Sequence, residues 1–298
     1  MARVTRILRI AAGLLLLAAN TLVHIVPLLI VALAKAVLRW KPLRRPCDLA
    51  LMAIAESWIG VNSALLDRLT PLRLVVELPP GLRRDGHYLV LANHRSWVDI
   101  PVLQKAFNRR IPLLRFFLKR QLVWVPLLGL AWWALDFPFM RRYTREQIAR
   151  RPALAGRDLE ATRRACARFR DIPVAVMNFP EGTRVTAAKQ AGQGSPFRHL
   201  LRPRAGGVAF VLGAMGEAID TVLDVTVAYR GDPPSLAGLL AGEVRQVTVL
   251  VRSVPAPPAL RAGDDPSDPS VQAAARDWIN ALWQDKDAVL DRLAASAP

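Results

Sequence analysis

His94 and Asp99 are the residues whose types and spacing most directly indicate chemistry. They lie in the stretch HYLVLANHRSWVDIPVL (residues 87–103), where an apolar run ends abruptly. A histidine can take a proton from a hydroxyl group, and a carboxylate can orient its ring and stabilise the imidazolium. Residues five apart on one helix point about 140° away from each other. The two side chains can therefore meet only if His94 lies in a turn and Asp99 in the first turn of the next helix. The alternative is that Asp99 simply caps that helix, with Pro101 in its first turn.

Two more polar turns follow apolar runs. The stretch VAVMNFPEGTR (residues 174–184) ends in Glu181, Gly182, Thr183 and Arg184. A carboxylate there can hydrogen-bond a polyol, and a guanidinium can clamp a phosphate with bidentate geometry. A surface salt bridge is the alternative interpretation of this turn. The stretch DFPFMRRY (residues 136–143) ends a short strand on two arginines, Arg141 and Arg142, which can bind an anion or be solvated.

The elements that must position these turns alternate along the chain from Pro71 onward. Predicted strands are Leu72–Leu78, Tyr88–Ala92, Leu113–Leu118, Phe137–Met140, Val174–Phe179, Leu223–Tyr229 and Val247–Val254. Predicted helices are Pro101–Asn108, Leu122–Ala134, Arg157–Arg170, Gly207–Ile219 and Val271–Ala294. This alternation predicts an α/β fold, with a mixed sheet flanked by helices in one domain over residues 71–298. The polar, glycine-containing segment Gly182–Arg204 predicts a mobile loop, and Pro255–Pro269 a linker.

Residues 1–45 predict a hydrophobic, helical membrane anchor. The segment Ile10–Ala34 carries no charge and exceeds the roughly 20 residues that cross a hydrocarbon core. Arginines and lysines flank it on both sides, so the positive-inside rule places both flanks in the cytoplasm. Asn20, His24 and Pro27 predict a break in the middle, which would make a re-entrant hairpin; a single span is the alternative.

Residues 46–70 predict an amphipathic linker helix, because apolar residues recur there at spacings of three and four. It can pack on the soluble domain or lie on the bilayer.

The net charge of +17 predicts attraction to polyanions. No helix-turn-helix, zinc or RNP-type pattern accompanies that charge, so we do not expect nucleic acid as a partner. We expect an anionic membrane surface instead. Cys47 and Cys166 form no C-x-x-C pair or metal set, so we expect a reducing compartment and no metal site.

Three motifs together resemble a known family. NHRSWVD, FPFMRR and FPEGTR are similar, in order and spacing, to the first three sequence blocks of the lysophospholipid (1-acylglycerol-3-phosphate-type) acyltransferases. The resemblance spans Leu72 to Tyr229 and implies a glycerolipid acyltransferase-like fold. It also implies acyl-CoA or acyl-carrier protein as donor, a lysophospholipid hydroxyl as acceptor, and no bound cofactor. His94 would be the general base and Asp99 the residue that orients it.

The resemblance further implies 1-acyl-sn-glycerol-3-phosphate as the acceptor, giving phosphatidic acid. Lysophosphatidylglycerol, lysocardiolipin and amino-acid lysolipids remain open. The layout is similar to members of the bacterial inner membrane, with the catalytic domain on the cytoplasmic side.

Two departures from the family pattern affect the acceptor site. The second block lacks the glycine-and-isoleucine run, so either Arg141 or Arg142 would hold the phosphate, with Glu181 to Arg184 as further substrate contacts. Lys119, at the end of a strand, is a candidate for contact with the acceptor or the membrane; a solvated strand end is the alternative. The stretch VLDVTVAY has no proline where many members carry a fourth block, which is similar to the lysocardiolipin-type branch.

Two rival functions remain: a hydrolase that activates water with the same pair, and a membrane-tethered module that binds nucleic acid or acidic lipid.

Overall fold

The computed structural model describes residues 2–38, 41–137, 139–140, 150, 172–219, 221–260 and 268–295. Two long helices come first, and a mixed sheet with helices on both faces follows. The predicted helix Arg157–Arg170 lies outside the described residues.

The N-terminal helices α1 (Ala2–Leu38) and α2 (Lys41–Leu69) pack against each other as an antiparallel pair. Asn20 Nδ2 donates to Asn62 Oδ1 at 2.7 Å, and a ring nitrogen of His24 lies 3.0 Å from Ser57 Oγ. The break predicted near Asn20, His24 and Pro27 is wrong, because α1 continues through Pro27. The two polar side chains hydrogen-bond α2 rather than ending α1, and a proline removes only one backbone donor from a long helix.

The predicted amphipathic helix forms the greater part of α2, so the predicted boundary at residues 45–46 falls inside one helix. Its buried face consists of Leu51, Ala55, Ile59 and Leu66, which pack on α1 and the soluble part. The outer face of α1 remains apolar and exposed: Leu8, Leu15, Val23, Ile30, Leu33 and Val37 are 62–70 % exposed. Both helices are long and apolar enough to cross a membrane, by length and composition only.

Over the described residues, the main sheet has six strands in the order β1-β8-β7-β2-β6-β3. Its strands are β1 (Arg73–Glu77), β2 (His87–Ala92), β3 (Leu114–Phe116), β6 (Val174–Asn178), β7 (Thr221–Tyr229) and β8 (Gln246–Val254). A separate parallel pair joins β4 (Leu118–Lys119) to β5 (Phe139–Met140). Strands β7, β2, β6 and β3 are mutually parallel, whereas β8 is antiparallel to β7. The carboxyl ends of four strands therefore meet at one edge, where ligands bind in open α/β sheets.

The apolar run of β2 is continuous because both faces of the sheet are covered. Val90 and Ala92 face a core that includes Phe107 of α3 (Asp99–Phe107), while Leu89 and Leu91 face a second core. That second core is filled from α6 (Gly206–Met215) and α8 (Pro269–Ala295). The short helix α7 (Leu236–Ala241) lies on the α3 side.

Two predicted segments differ from the structure. The helix predicted over Leu122–Ala134 is split into a 3-10 turn (Arg120–Trp124) and α4 (Leu128–Ala134), because Pro126 lacks the N–H that a continuous helix needs. The predicted mobile loop Gly182–Arg204 contains α5 (Ala187–Gln193), which begins where Thr186 Oγ1 accepts from Lys189 N and ends at Gly194 with φ 54°.

Candidate active site

The turn after β2 is fixed to the neighbouring strand by Asn93. Its carboxamide accepts from Val227 N at 2.8 Å and donates to Val227 O at 2.9 Å. The fully buried side chain thus takes the place of a backbone partner where pairing between β2 and β7 ends. The chain is rigidly placed one residue before His94.

The structure brings His94 and Asp99 together. His94 lies in the turn and Asp99 is the first residue of α3, and His94 Nδ1 is 2.8 Å from Asp99 Oδ2. The same oxygen accepts from Arg95 N at 2.7 Å and from Ser96 N at 2.9 Å. The fully buried carboxylate therefore points back into the turn instead of capping α3. With Nδ1 carrying the hydrogen, Nε2 is left as the acceptor, which is the tautomer that a general base needs.

The His94 ring has one apolar wall. It stacks on Phe179 with ring centroids 4.1 Å apart, and its side chain is 15 % exposed. Stacking and the Asp99 hydrogen bond together hold the ring in one orientation. Among the described residues, Nε2 has no hydrogen-bond partner from the protein, and His94 lines an open cavity.

Ser96 is not placed as a nucleophile. Its hydroxyl donates to Pro234 O and accepts from Val98 N at 3.0 Å. The buried serine closes the turn around Asp99 and is not among the residues that line the cavity.

The turn after β6 carries the FPEGTR motif. Gly182 has φ +69°, a conformation that side chains disfavour, and its N–H donates to Phe179 O at 2.9 Å. This tight turn sends successive side chains in different directions. It is joined to the first turn by Val185 N, which donates to His94 O at 2.9 Å.

Glu181 is buried beneath both turns. It is 0 % exposed, and its oxygens accept from His94 N at 3.2 Å and Leu201 N at 3.4 Å. Burial raises the pKa of Glu181 to about 8, against the lowering effect of these two backbone hydrogen bonds. The predicted contact with a substrate polyol needs an accessible carboxylate, and this one instead supports the backbone of His94.

Thr183 and Arg184 lie nearer the surface. Thr183 Oγ1 accepts from Lys189 Nζ at 2.7 Å, and the Arg184 guanidinium lies over the Trp97 ring at 4.9 Å. Trp97 is 61 % exposed and lines the same cavity as His94. Arg184 therefore stands at the rim of the site, with its guanidinium held by an aromatic face.

The cavity beside His94 measures about 740 Å³. Its walls are predominantly apolar and include Phe116, Phe117, Leu122, Met177 and Phe210. Two cations, Lys119 and Arg204, line it as well, together with Gly206 and Gly207 at the start of α6. A chamber of this kind suits an amphiphile that has an acyl chain and an anionic group.

Three backbone amides of the His94 turn are already occupied. The N–H groups of His94, Arg95 and Ser96 donate to the carboxylates of Glu181 and Asp99. They are therefore not free to bind a ligand in the cavity.

Some predicted residues lie beyond the described chain, and some contributors were not predicted. Arg141 and Arg142 fall outside the described residues. Arg204 and Tyr229 come to the site from segments whose sequence carries no motif; Tyr229 Oη donates to Asp99 Oδ1 at 2.5 Å. No group of three His, Cys, Asp or Glu side chains in the described part of the chain could hold a metal ion.

Comparison with known proteins shows the family of the chain. The family model described as Acyltransferase matches residues 73–230, more than half of the chain. The chain belongs to the Acyltransferase family. The match begins at β1 and ends one residue after β7, so it contains both turns and the strands that carry them.

Individual relatives point the same way. The chain is 28 % identical over 217 residues to the mouse protein named 1-acyl-sn-glycerol-3-phosphate acyltransferase gamma, covering 68 % of this chain and 52 % of that protein. It is 25 % identical over 214 residues to the mouse delta form, covering 67 % and 51 %. The chain thus spans about half the length of these relatives.

One solved structure shares the fold along nearly the entire chain. The 1-acyl-sn-glycerophosphate (LPA) acyltransferase PlsC from Thermotoga maritima superposes with a TM-score of 0.59, covering 99 % of this chain and 98 % of that one. Sequence identity is 17 %, so the likeness shows the fold alone. The predicted mixed α/β sheet flanked by helices is confirmed.

Proposed function

We propose that this acyltransferase moves a fatty acyl group from an acyl thioester to the free hydroxyl of a lysophospholipid. The observation that carries the proposal is the His94–Asp99 pair in the wall of a largely apolar cavity of about 740 Å³ with cations at its edge. The proposed acceptor is 1-acyl-sn-glycerol-3-phosphate, which the names of the relatives support. The proposed donor is acyl-CoA or acyl-carrier protein.

In the proposed reaction, one residue, His94, takes up a proton and gives it back. His94 Nε2 takes the hydrogen of the acceptor hydroxyl while that oxygen attacks the thioester carbonyl carbon. The tetrahedral intermediate collapses, the C–S bond breaks, and the sulfur leaves as a thiolate or takes the proton from Nε2. Asp99 keeps the hydrogen on Nδ1 and stabilises the imidazolium in between. A thiol with a pKa near 8.5 is a good leaving group, so little assistance is needed there.

Arginines and a lysine are the proposed ligands of the acceptor phosphate. Arg204 and Lys119 line the cavity, and Arg184 stands at its rim on Trp97. Arg141 and Arg142 remain predicted members of this set. Glu181 acts indirectly in this proposal, by holding the His94 backbone.

We also propose that the helix pair attaches the protein to the cytoplasmic face of a bacterial inner membrane without carrying the chain across it. Both ends of α1 are tied to the soluble part: Arg6 Nη2 lies 2.5 Å from Glu243 Oε1, and Lys35 Nζ lies 3.1 Å from Asp136 Oδ2. A helix of 37 residues, roughly 55 Å long, thus runs along the domain. Its exposed apolar face supports contact with lipid.

A topology experiment tests this attachment. With Cys47 and Cys166 replaced, single cysteines are placed at Thr5 and at Arg45 and labelled from each side of the membrane. We expect both to react only from the cytoplasmic side. Reaction of the cysteine at position 5 from the opposite side would establish a true span.

The function itself is tested with purified protein in phospholipid vesicles, labelled acyl-CoA or acyl-carrier protein, and a panel of lysophospholipids. We expect labelled diacyl lipid, formed fastest from 1-acyl-sn-glycerol-3-phosphate. Labelled free fatty acid as the sole product would indicate a hydrolase, and a different preferred lysolipid would reassign the acceptor.

A further inference from the structure

The two carboxylate oxygens of Asp99 accept hydrogen bonds from different donors. Oδ2 takes three N–H groups, from the His94 ring, Arg95 and Ser96, at 2.7–2.9 Å. Oδ1 accepts from the phenol of Tyr229 at 2.5 Å. Asp99 is fully buried, so bulk solvent does not reach Oδ1. Within the described part of the chain, the oxygen that does not touch the histidine is therefore held by one side chain.

Tyr229 is well placed to act as that holder. It is the last residue of β7, it is 8 % exposed, and its strand is locked to the His94 turn through the Asn93–Val227 hydrogen bonds. Burial and the neighbouring Asp99 charge raise the pKa of Tyr229, so the phenol keeps its proton and remains a donor. An ionised Asp99 offers only acceptors, which settles the direction of the bond.

We infer that Tyr229 is a positioning residue for His94: its O–H bond fixes the Asp99 carboxylate and draws off part of its negative charge. This inference rests on the proposed function. Fixing the carboxylate keeps Nε2 aimed at the acceptor hydroxyl. Drawing off charge weakens the attraction of Asp99 for the imidazolium form of His94.

Other charges also bear on this histidine and must stay unchanged in any test. Arg95 lies in the same turn, and Glu181 accepts from His94 N beneath it. Lys286, on α8, acts on Glu181 through space. Lys119 and Arg204 line the cavity that His94 faces.

The decisive variant is Tyr229→Phe, which removes only the hydroxyl. Its matched control is Tyr88→Phe: Tyr88 is also buried, on β2, but its hydroxyl accepts from Arg83 N at 2.8 Å and does not contact Asp99. We expect Tyr229→Phe to lower kcat about tenfold, a part of the ~10²–10⁴-fold that a general base supplies. KM for both substrates should change less than about twofold, because Tyr229 is not among the residues that line the cavity. Tyr88→Phe should behave as wild type.

The second readout is the titration of the His94 ring by NMR, assigned with His94→Ala, which needs no turnover. Tyr229→Phe should raise the His94 pKa and move the acid limb of the rate profile to higher pH by the same amount. 3-Fluorotyrosine at position 229 keeps the shape of the tyrosine side chain and is a stronger hydrogen-bond donor. It should therefore shift the His94 pKa and the acid limb of the rate profile in the opposite direction. An unchanged His94 titration in the folded Tyr229→Phe protein would overturn the inference. If Tyr229→Phe does not fold, an absent shift with fluorotyrosine overturns it.

The two proposals fail separately in this design. Absence of acyl transfer in wild type and in Tyr88→Phe would remove the proposed function, while the NMR titration would still decide whether Tyr229 controls His94.

Discussion

The two turns at the carboxyl edge of the sheet use their buried carboxylates differently. In the first turn, residues 93–99, Asp99 is bound to the ring of His94, which faces the cavity. In the second, residues 179–184, Glu181 is just as buried but, within the described part of the chain, is bound only to backbone amides. The carboxylate of the first turn thus orients a ring that faces the cavity. The second turn uses its carboxylate to hold the first turn in place and presents Arg184 at the surface. Burial and membership in a motif therefore do not decide what a carboxylate does; the group that it contacts does.

Removing His94 should produce the largest effect. His94→Ala takes away the proton acceptor, so kcat should fall by about 10⁴-fold, the upper end of what general base catalysis supplies. Turnover of labelled acyl-CoA in vesicles measures the loss, with circular dichroism and membrane flotation as controls for folding and attachment. Near-normal turnover in the folded variant would mean that the first turn does not hold the base.

Asp99→Asn should have the second largest effect. An asparagine can donate to Nδ1 from its amide, which forces the ring hydrogen onto Nε2 and removes the acceptor. We expect kcat to fall about 10³-fold, with the KM values nearly unchanged. A loss confined to KM would show that Asp99 acts on substrate binding and not on His94.

Glu181→Gln should chiefly change how stability depends on pH. The pKa of Glu181 is about 8 in the folded protein, against about 4.3 for an ordinary glutamate. The folded state therefore binds the extra proton between these values, and the stability that this provides is lost as pH rises toward 8. Between pH 5 and 7.5, the unfolding free energy of Glu181→Gln relative to wild type should rise by about 1.4 kcal/mol per pH unit.

Urea titrations at pH 5.5, 6.5 and 7.5 measure that difference. Lys286, the buried cation that acts on Glu181, is present in both proteins. The charge-conserving variant Glu181→Asp serves as control and should retain a pH slope. Parallel stability curves for wild type and Glu181→Gln would show that Glu181 titrates near its ordinary pKa. Activity of Glu181→Gln should fall much less than that of Asp99→Asn, since Glu181 reaches His94 only through the backbone.

Features that depend on residues close together in the sequence could be predicted from it, whereas contacts between distant residues could not. The apolar runs of β2 and β6 were sufficient to predict both strands. The His94–Asp99 spacing left two arrangements open, contact across the turn or a simple helix cap, and only the structure shows the contact. The Tyr229–Asp99 bond and the Asn93–Val227 pairing join residues 130 and 134 apart along the chain, so no spacing rule reveals them. The burial of Glu181 was missed for the same reason, because the groups that act on its carboxylate, Leu201 N and Lys286 on α8, come from other parts of the sequence.

In the N-terminal helices the sequence predicted a feature that the structure does not have, a break in α1. Asn20 and His24 were interpreted as helix breakers, whereas a partner helix satisfies them. Whether a polar side chain breaks a helix or joins two helices depends on a neighbour that periodicity cannot identify.

The smallest expected effects are those of replacing the arginines around the cavity. These replacements test the proposal that the arginines bind the phosphate of the acceptor. Arg184→Ala removes a cation that Trp97 holds at the rim, and Arg204→Ala one that lines the cavity itself. Each should raise KM for 1-acyl-sn-glycerol-3-phosphate about tenfold, which corresponds to ~1.4 kcal/mol, with Arg204→Ala the larger because Arg204 lines the cavity directly. The matched control is Arg198→Ala, whose side chain is 78 % exposed and pairs with Asp291 on α8; it should leave KM unchanged. If either cavity variant instead raises KM for acyl-CoA alone, that arginine binds the donor phosphates, and the acceptor must be held by residues such as Arg141 or Arg142.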